Sequence, residues 1–136
     1  VVAAAVGACG GVDAGAAVGD VEVLEDPDAA GPVGVKKDGL ELLAGEPRQS
    51  VRNHYSDPSG QFHIGVWEAE RGRWRIRYTE HEYCRILSGR SVLRDASGAE
   101  RVLAPGDEFV IPAGFEGEWE VVEPTRKVYA IFEPRA

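Results

Sequence analysis

The chain has 136 residues, 43% of them hydrophobic, enough for one domain around one core, and its net charge is −8. Excess acid disfavours nucleic acid as a partner, and no run approaches the roughly eighteen apolar residues of a membrane span. The two cysteines, Cys9 and Cys84, make neither a disulfide framework nor a zinc-finger spacing, so a reducing, cytoplasmic setting is expected.

The acidity is uneven. Residues 1–48 hold nine acids against three bases, and residues 49–136 hold fourteen against twelve. Val1–Gly19, "VVAAAVGACGGVDAGAAVG", is almost wholly Val, Ala and Gly without periodicity, and reads as a disordered or loosely packed tail. Its "VGAC" is similar to the end of a lipoprotein signal peptide, but no basic segment precedes it. Residues 20–49, acidic and rich in Gly and Pro, read as an arm wrapping the domain. Within it "GDVEVLE" suggests a short strand, and "GLELLAG" either a helical turn or a strand.

Residues 50–136 are predicted to be all-β. "QFHIGVWEAE" has strand composition, and "GRWRIRY" alternates strictly, with Trp74, Ile76 and Tyr78 on one face and Arg73, Arg75 and Arg77 on the other. "EYCRILS" ends at Gly89, and "RSVLRDA" runs to a Ser97-Gly98 turn. "AERVLAPGDEFVIPAGF" holds two short strands, followed by "GEWEVVEP" and "RKVYAIFEP" as two more. Turn signals about every ten residues and no helical stripe point to a sandwich or barrel.

"TEHEYCRILSGR" raises a chemical question, because Glu80, His81 and Glu82 at a strand mouth suggest the start of a metal site. Glu82 and Gly89 have the spacing that ends the first motif of the cupin superfamily. "LAPGDEFVIPAG" looks like the opening of the second: Gly, five residues, Pro-x-Gly. From about Ser50 to Arg135 the chain resembles the small cupins related to ureidoglycine aminohydrolase and the ethanolamine-utilisation cupins. The resemblance implies a jelly-roll β-barrel with one pocket, usually in a homodimer.

It also implies a ligand test. Metal cupins supply His-x-His and Glu from the first motif and His from the second. Here the His-x-His positions fall on Ile76 and Tyr78, or on Arg75 and Arg77; the second-motif His falls on Gly117 and its Asn on Val121. Glu82 alone survives. His81, its neighbour on a strand, should face the other way. No metal and no other cofactor is therefore expected.

If Glu82 faces inward, as its motif position in the resemblance implies, alternation turns Cys84 and Ile86 inward with it and Tyr83, Arg85 and Leu87 outward. The expected ligand pocket is lined by Trp74, Tyr78, Glu82, Cys84, Gly117 and Trp119, with Gly117 leaving room where a His would sit. Glu80, His81, Lys127 and Tyr129 are placed at its rim. Glu82 is alternatively an ion-paired carboxylate, with Arg75 or Arg77 as partner. Cys84 is more simply a small core residue, and His54 and His63 are surface or dimer-contact residues. The preferred function is metal-independent binding of a small polar metabolite. The alternatives are a metal-free acid–base enzyme using Glu82, His81 and Tyr78, in the manner of sugar-nucleotide epimerases, and a structural or regulatory dimer.

Overall fold

A computed structural model describes residues 17–21, 34–36 and 41–135. Nearly all of the expected tail, including Cys9 and "VGAC", and most of "GDVEVLE" lie outside the described residues. Val18–Asp20 form one 3-10 turn, and the rest of the regular structure is strand: β1 (Gly34–Lys36), β2 (Glu41–Ala44), β3 (Gln49–Ser56), β4 (Phe62–Ala69), β5 (Gly72–Arg77), β6 (His81–Asp95), β7 (Glu100–Leu103), β8 (Glu108–Ile111) and β9 (Glu116–Phe132). "GLELLAG" resolves as strand β2. Among the described residues no helix is long and apolar enough to cross a membrane.

The strands form a jelly-roll barrel in which every pairing is antiparallel. Two long strands organise it. β9 pairs with β5 along Glu116–Val121 and with β4 along Thr125–Phe132. Along its other edge β9 pairs with β6 for almost its whole length. One wall is thus β1, β3, β4, the second half of β9, the first half of β6, and β8. The facing wall is β2, β5, the first half of β9, the second half of β6, and β7.

This corrects two readings from the sequence. Gly89 does not end a strand, and Pro124 does not separate two. Both lie inside continuous strands, at the bend where the chain passes from one wall to the other. The β6–β9 register shifts between Ile86 and Ser91 there. Gly89 has φ +84°, and a Cβ on it would lie 2.0 Å from the Pro124 carbonyl oxygen, so the crossing excludes a side chain.

Alternation sets the core. Glu82, Cys84 and Ile86 are buried, and Tyr83 and Arg85 are exposed. Trp67, Trp74 and Trp119 pack together with ring centroids 5.5 to 6.2 Å apart, in the range of favourable tilted and edge contacts. On the outer face the β5 arginines meet β9 and β2 carboxylates: Arg73 with Glu118 at 3.8 Å, Arg75 with Glu41 at 4.0 Å and Arg77 with Glu116 at 3.1 Å. These are exposed pairs worth little each.

Candidate functional site

Between the walls lies a cavity of about 480 Å³, lined chiefly by β3, β4, β5 and β9. Its lining includes Trp67, Trp74 and Trp119, all three tryptophans of the chain. Tyr78, Tyr129, Gln49, Asn53, Glu82 and Lys127 supply the polar surface.

At its base Lys127 Nζ lies 3.1 Å from Glu82 Oε2, and both residues are only 4% exposed. The ammonium also sits over the rings of Trp67 and Trp119, 4.7 and 4.5 Å from their centroids, a cation–π arrangement in a desolvated site. Burial is the largest single influence and would lower the pKa of Lys127, but Glu82 and Cys84 together outweigh it and raise the value. Lys127 is therefore held as a cation.

The Tyr78 hydroxyl and the Cys84 thiol lie close enough to Glu82 to feel its charge. Burial, then the Glu82 charge, raise the Tyr78 pKa well above the ordinary phenol value. Burial pushes the Cys84 thiol up to about 12, against the opposing pull of Lys127. Tyr129 is also raised to about 12, by burial and then Glu82. All three groups keep their protons at neutral pH.

The positioning of these groups is local. The Gly114 N–H donates to the Tyr78 carbonyl at 2.7 Å, and the Tyr78 N–H donates to the Phe115 carbonyl at 2.9 Å. The Pro-Ala-Gly turn thus clamps Tyr78 beyond the end of β5. The Tyr129 hydroxyl donates to Asn53 Oδ1 at 2.9 Å, and the Trp67 indole donates to Gln49 Oε1 at 3.0 Å. Trp119 is tied from behind by donating to Ser91 Oγ at 3.1 Å, which pairs with Thr125 Oγ1 at 2.7 Å.

The structure thus brings Trp74, Tyr78, Glu82 and Trp119 together on one cavity. It separates three other candidates from it. His81 faces outward: its Nδ1 accepts the Ala113 N–H at 3.1 Å, and its ring stacks on Phe132. Cys84 is fully buried behind the Glu82–Lys127 pair, outside the cavity lining. Gly117 lies outside that cavity, bordering a second pocket with Glu116, Glu118 and Asp95, and the space where its side chain would point is filled. A Cβ there would lie 1.9 Å from the Arg94 carbonyl oxygen.

Glu82 is ion-paired, but with Lys127, since Arg75 and Arg77 point away to Glu41 and Glu116. Lys127, expected at the rim, lies at the base, and Tyr129 is buried with it. Its signal was the odd-numbered parity that Lys127, Tyr129 and Ile131 share with Trp119 and Val121 along one strand. Reading a break at Pro124 hid it. His63 borders the cavity, with its ring nitrogens held by Ser56 Oγ at 2.7 Å and the Gly60 carbonyl at 3.0 Å. Gln49 and Asn53, on β3, carried no periodic signal.

The donor set does not fit a metal ion. Among the described residues no three His, Cys, Asp or Glu side chains converge. The one carboxylate at a motif ligand position, Glu82, is already balanced by an ammonium 3.1 Å away. A divalent cation would need several such ligands and would meet that positive charge.

A family model described as the EutQ-like cupin domain matches residues 56–129. No curated protein matches the chain. Among solved structures, EutQ of Clostridium difficile is similar at 15% identity and TM-score 0.58, covering 64% of each chain. A DUF861-family protein of unknown function from Pseudomonas syringae pv. tomato is similar at 22% identity and TM-score 0.68, covering 78% of this chain and 46% of that one. Ectoine synthase from P. lautus aligns at 13% identity and TM-score 0.56, covering 65% of this chain and 66% of that one. This chain therefore spans less than two-thirds of the length of the Clostridium and Pseudomonas proteins.

Proposed function

The chain belongs to the EutQ-like cupin domain family, and from that premise we propose that it is a metal-independent binder of a small polar metabolite. The observation that carries this reading is the cavity itself. A space of about 480 Å³ is large enough for a small molecule, and its aromatic walls converge on the Glu82–Lys127 pair. A purely structural barrel would fill that space with its own side chains.

The test is a thermal-shift screen of small polar metabolites on chelator-treated protein. A ligand at 100 times its Kd should add about 2.7 kcal/mol of stability. Tyr78→Phe and Glu82→Gln should each reduce the response. A response unchanged in both variants places the ligand elsewhere and defeats the proposal.

A second reading, metal-free acid–base catalysis, is favoured by the Tyr78 hydroxyl and the Glu82 carboxylate lining the same cavity. Turnover of a bound metabolite, lost in Tyr78→Phe with binding retained, would support it over simple binding. The reading includes a cytoplasmic homodimer. Exposed Tyr83, Val110 and Phe132 on the outer face support the dimer, and sedimentation at micromolar concentration tests it.

A further inference from the structure

Aromatic walls around a pocket commonly receive a cation brought by the ligand. Here that place is taken. The Lys127 ammonium covers the faces of Trp67 and Trp119 from inside the protein, at 4.7 and 4.5 Å from their centroids. A ligand amine entering the cavity would meet a fixed ammonium; among the described residues Glu82 is the one buried carboxylate and it already faces Lys127, while Glu80 lines the cavity partly exposed.

The remaining hydrogen-bond capacity points the same way. Glu82 is already engaged by the Lys127 ammonium at 3.1 Å. Both ends of the Asn53 amide are used: its oxygen by Tyr129, its nitrogen by the Tyr55 carbonyl and Ser56 Oγ. The carboxylate and amide oxygens at the base already have partners. Donors remain. An indole N–H can only donate, so the bond from Trp67 fixes the Gln49 oxygen toward it and leaves the amide NH₂ on the other side. That nitrogen is buried without a partner. The Lys127 ammonium has three N–H donors, and Glu82 takes one of them.

We infer that the cavity selects small carboxylates, with Lys127 as the fixed cation that receives the ligand's oxygen and Gln49 as a second donor. This rests on the cavity being a ligand site, as proposed above. Lys127 then stands where a bound ion would otherwise supply positive charge, and the site rejects amines and free metal ions by the same charge.

The three tryptophans give a direct readout, because all of them line the cavity. Intrinsic fluorescence of chelated wild-type protein is titrated with acetate, glycolate and succinate, and with the matching amides and alkylamines. Carboxylates are expected to give a saturable change at least tenfold tighter than the amides, with no saturation by amines. The double variant E82Q/K127M, which removes both buried charges together, is expected to keep its far-ultraviolet circular dichroism and to lose carboxylate affinity tenfold or more. Amides or amines binding as tightly as carboxylates, or unchanged carboxylate affinity in E82Q/K127M, would overturn the inference while leaving the proposed binding function intact. Silence from all three classes overturns both. The wild-type comparison decides the matter even if the double variant fails to fold.

Discussion

The Tyr129 hydroxyl reaches Asn53 by passing over Gly65, the residue directly opposite it on β4. A Cβ at Gly65 would lie 2.4 Å from that hydroxyl and 2.2 Å from the Arg52 carbonyl oxygen on the next strand. The second contact is with backbone, which cannot swing aside. Gly65→Ala should therefore cost about 1–3 kcal/mol by overpacking. Tyr129→Phe removes one hydrogen bond and should cost about 1 kcal/mol. Urea denaturation of the two variants checks the order; a neutral Gly65→Ala would contradict the packing.

The Glu82–Lys127 pair predicts an asymmetric mutant series. Lys127→Met leaves a buried carboxylate without its counter-ion and should cost about 3–5 kcal/mol, while removing both charges should cost far less. The coupling is measured by a double-mutant cycle in urea. Additive costs would mean that the two charges do not sense each other.

Stability should fall on the alkaline side. Cys84 is raised from 9.0 to about 12, Tyr129 from 10.0 to about 12, and Tyr78 and Lys127 are raised as well. In each case the folded state holds the proton more tightly than the unfolded chain. The stabilisation is complete below the unfolded values and is lost as pH rises toward the folded ones. The urea midpoint should thus decline from about pH 9 upward, with the earliest part absent in Cys84→Ala. A midpoint constant to pH 11 would contradict the burial of these groups. The Cys84 thiol should likewise resist alkylation at pH 8 until the protein is unfolded.

Chelation should change nothing. Extended dialysis against EDTA is expected to leave the melting temperature unaltered, and elemental analysis of protein purified without immobilised metal should find no stoichiometric manganese, iron, nickel or zinc. Near one equivalent of any of them would mean that the donor set has been misjudged.

His81→Ala separates the two neighbours in "TEHEYC". Its ring accepts one hydrogen bond from the Ala113 backbone at 3.1 Å and lies outside the cavity. A loss of about 0.5–1.5 kcal/mol is expected, with the ligand-induced shift unchanged. Loss of ligand response in this variant would show that His81 reaches the site after all.

Period-two alternation made much of the barrel legible: it gave the Trp74 face directly, and, anchored on the motif positions Glu82 and Gly117, it put Glu82 and Trp119 on inward faces. The spacing of Glu82 to Gly89, and of Gly106 to Gly114, carried the family. What alternation could not show was continuity. Pro124 and Gly89 are punctuation in a sequence, yet here they sit opposite each other in two bent strands, where Pro needs no ladder bond and Gly admits the carbonyl beside it. Missing that continuity moved Lys127 from the base to the rim. Gln49 and Asn53 were illegible for a different reason. Their role comes from partners 18 and 76 residues away, Trp67 and Tyr129, and no local pattern encodes such a pairing. Gly117 shows the converse error: the missing side chain is compensated by backbone, not by space.

The shared bend of β6 and β9 also bears on how the molecule assembles. Neither wall can be completed without both strands, and their pairing joins His81 to Phe132 at one end and Asp95 to Gly117 at the other. Closing a loop of that length costs entropy before any contact repays it. No nucleus made from a single hairpin of β3 and β4 contains the cavity. The barrel should therefore fold slowly for its size, and its tryptophan cluster should form in the rate-limiting step, because Trp67 and Trp119 reach it from strands on opposite sides of that crossing.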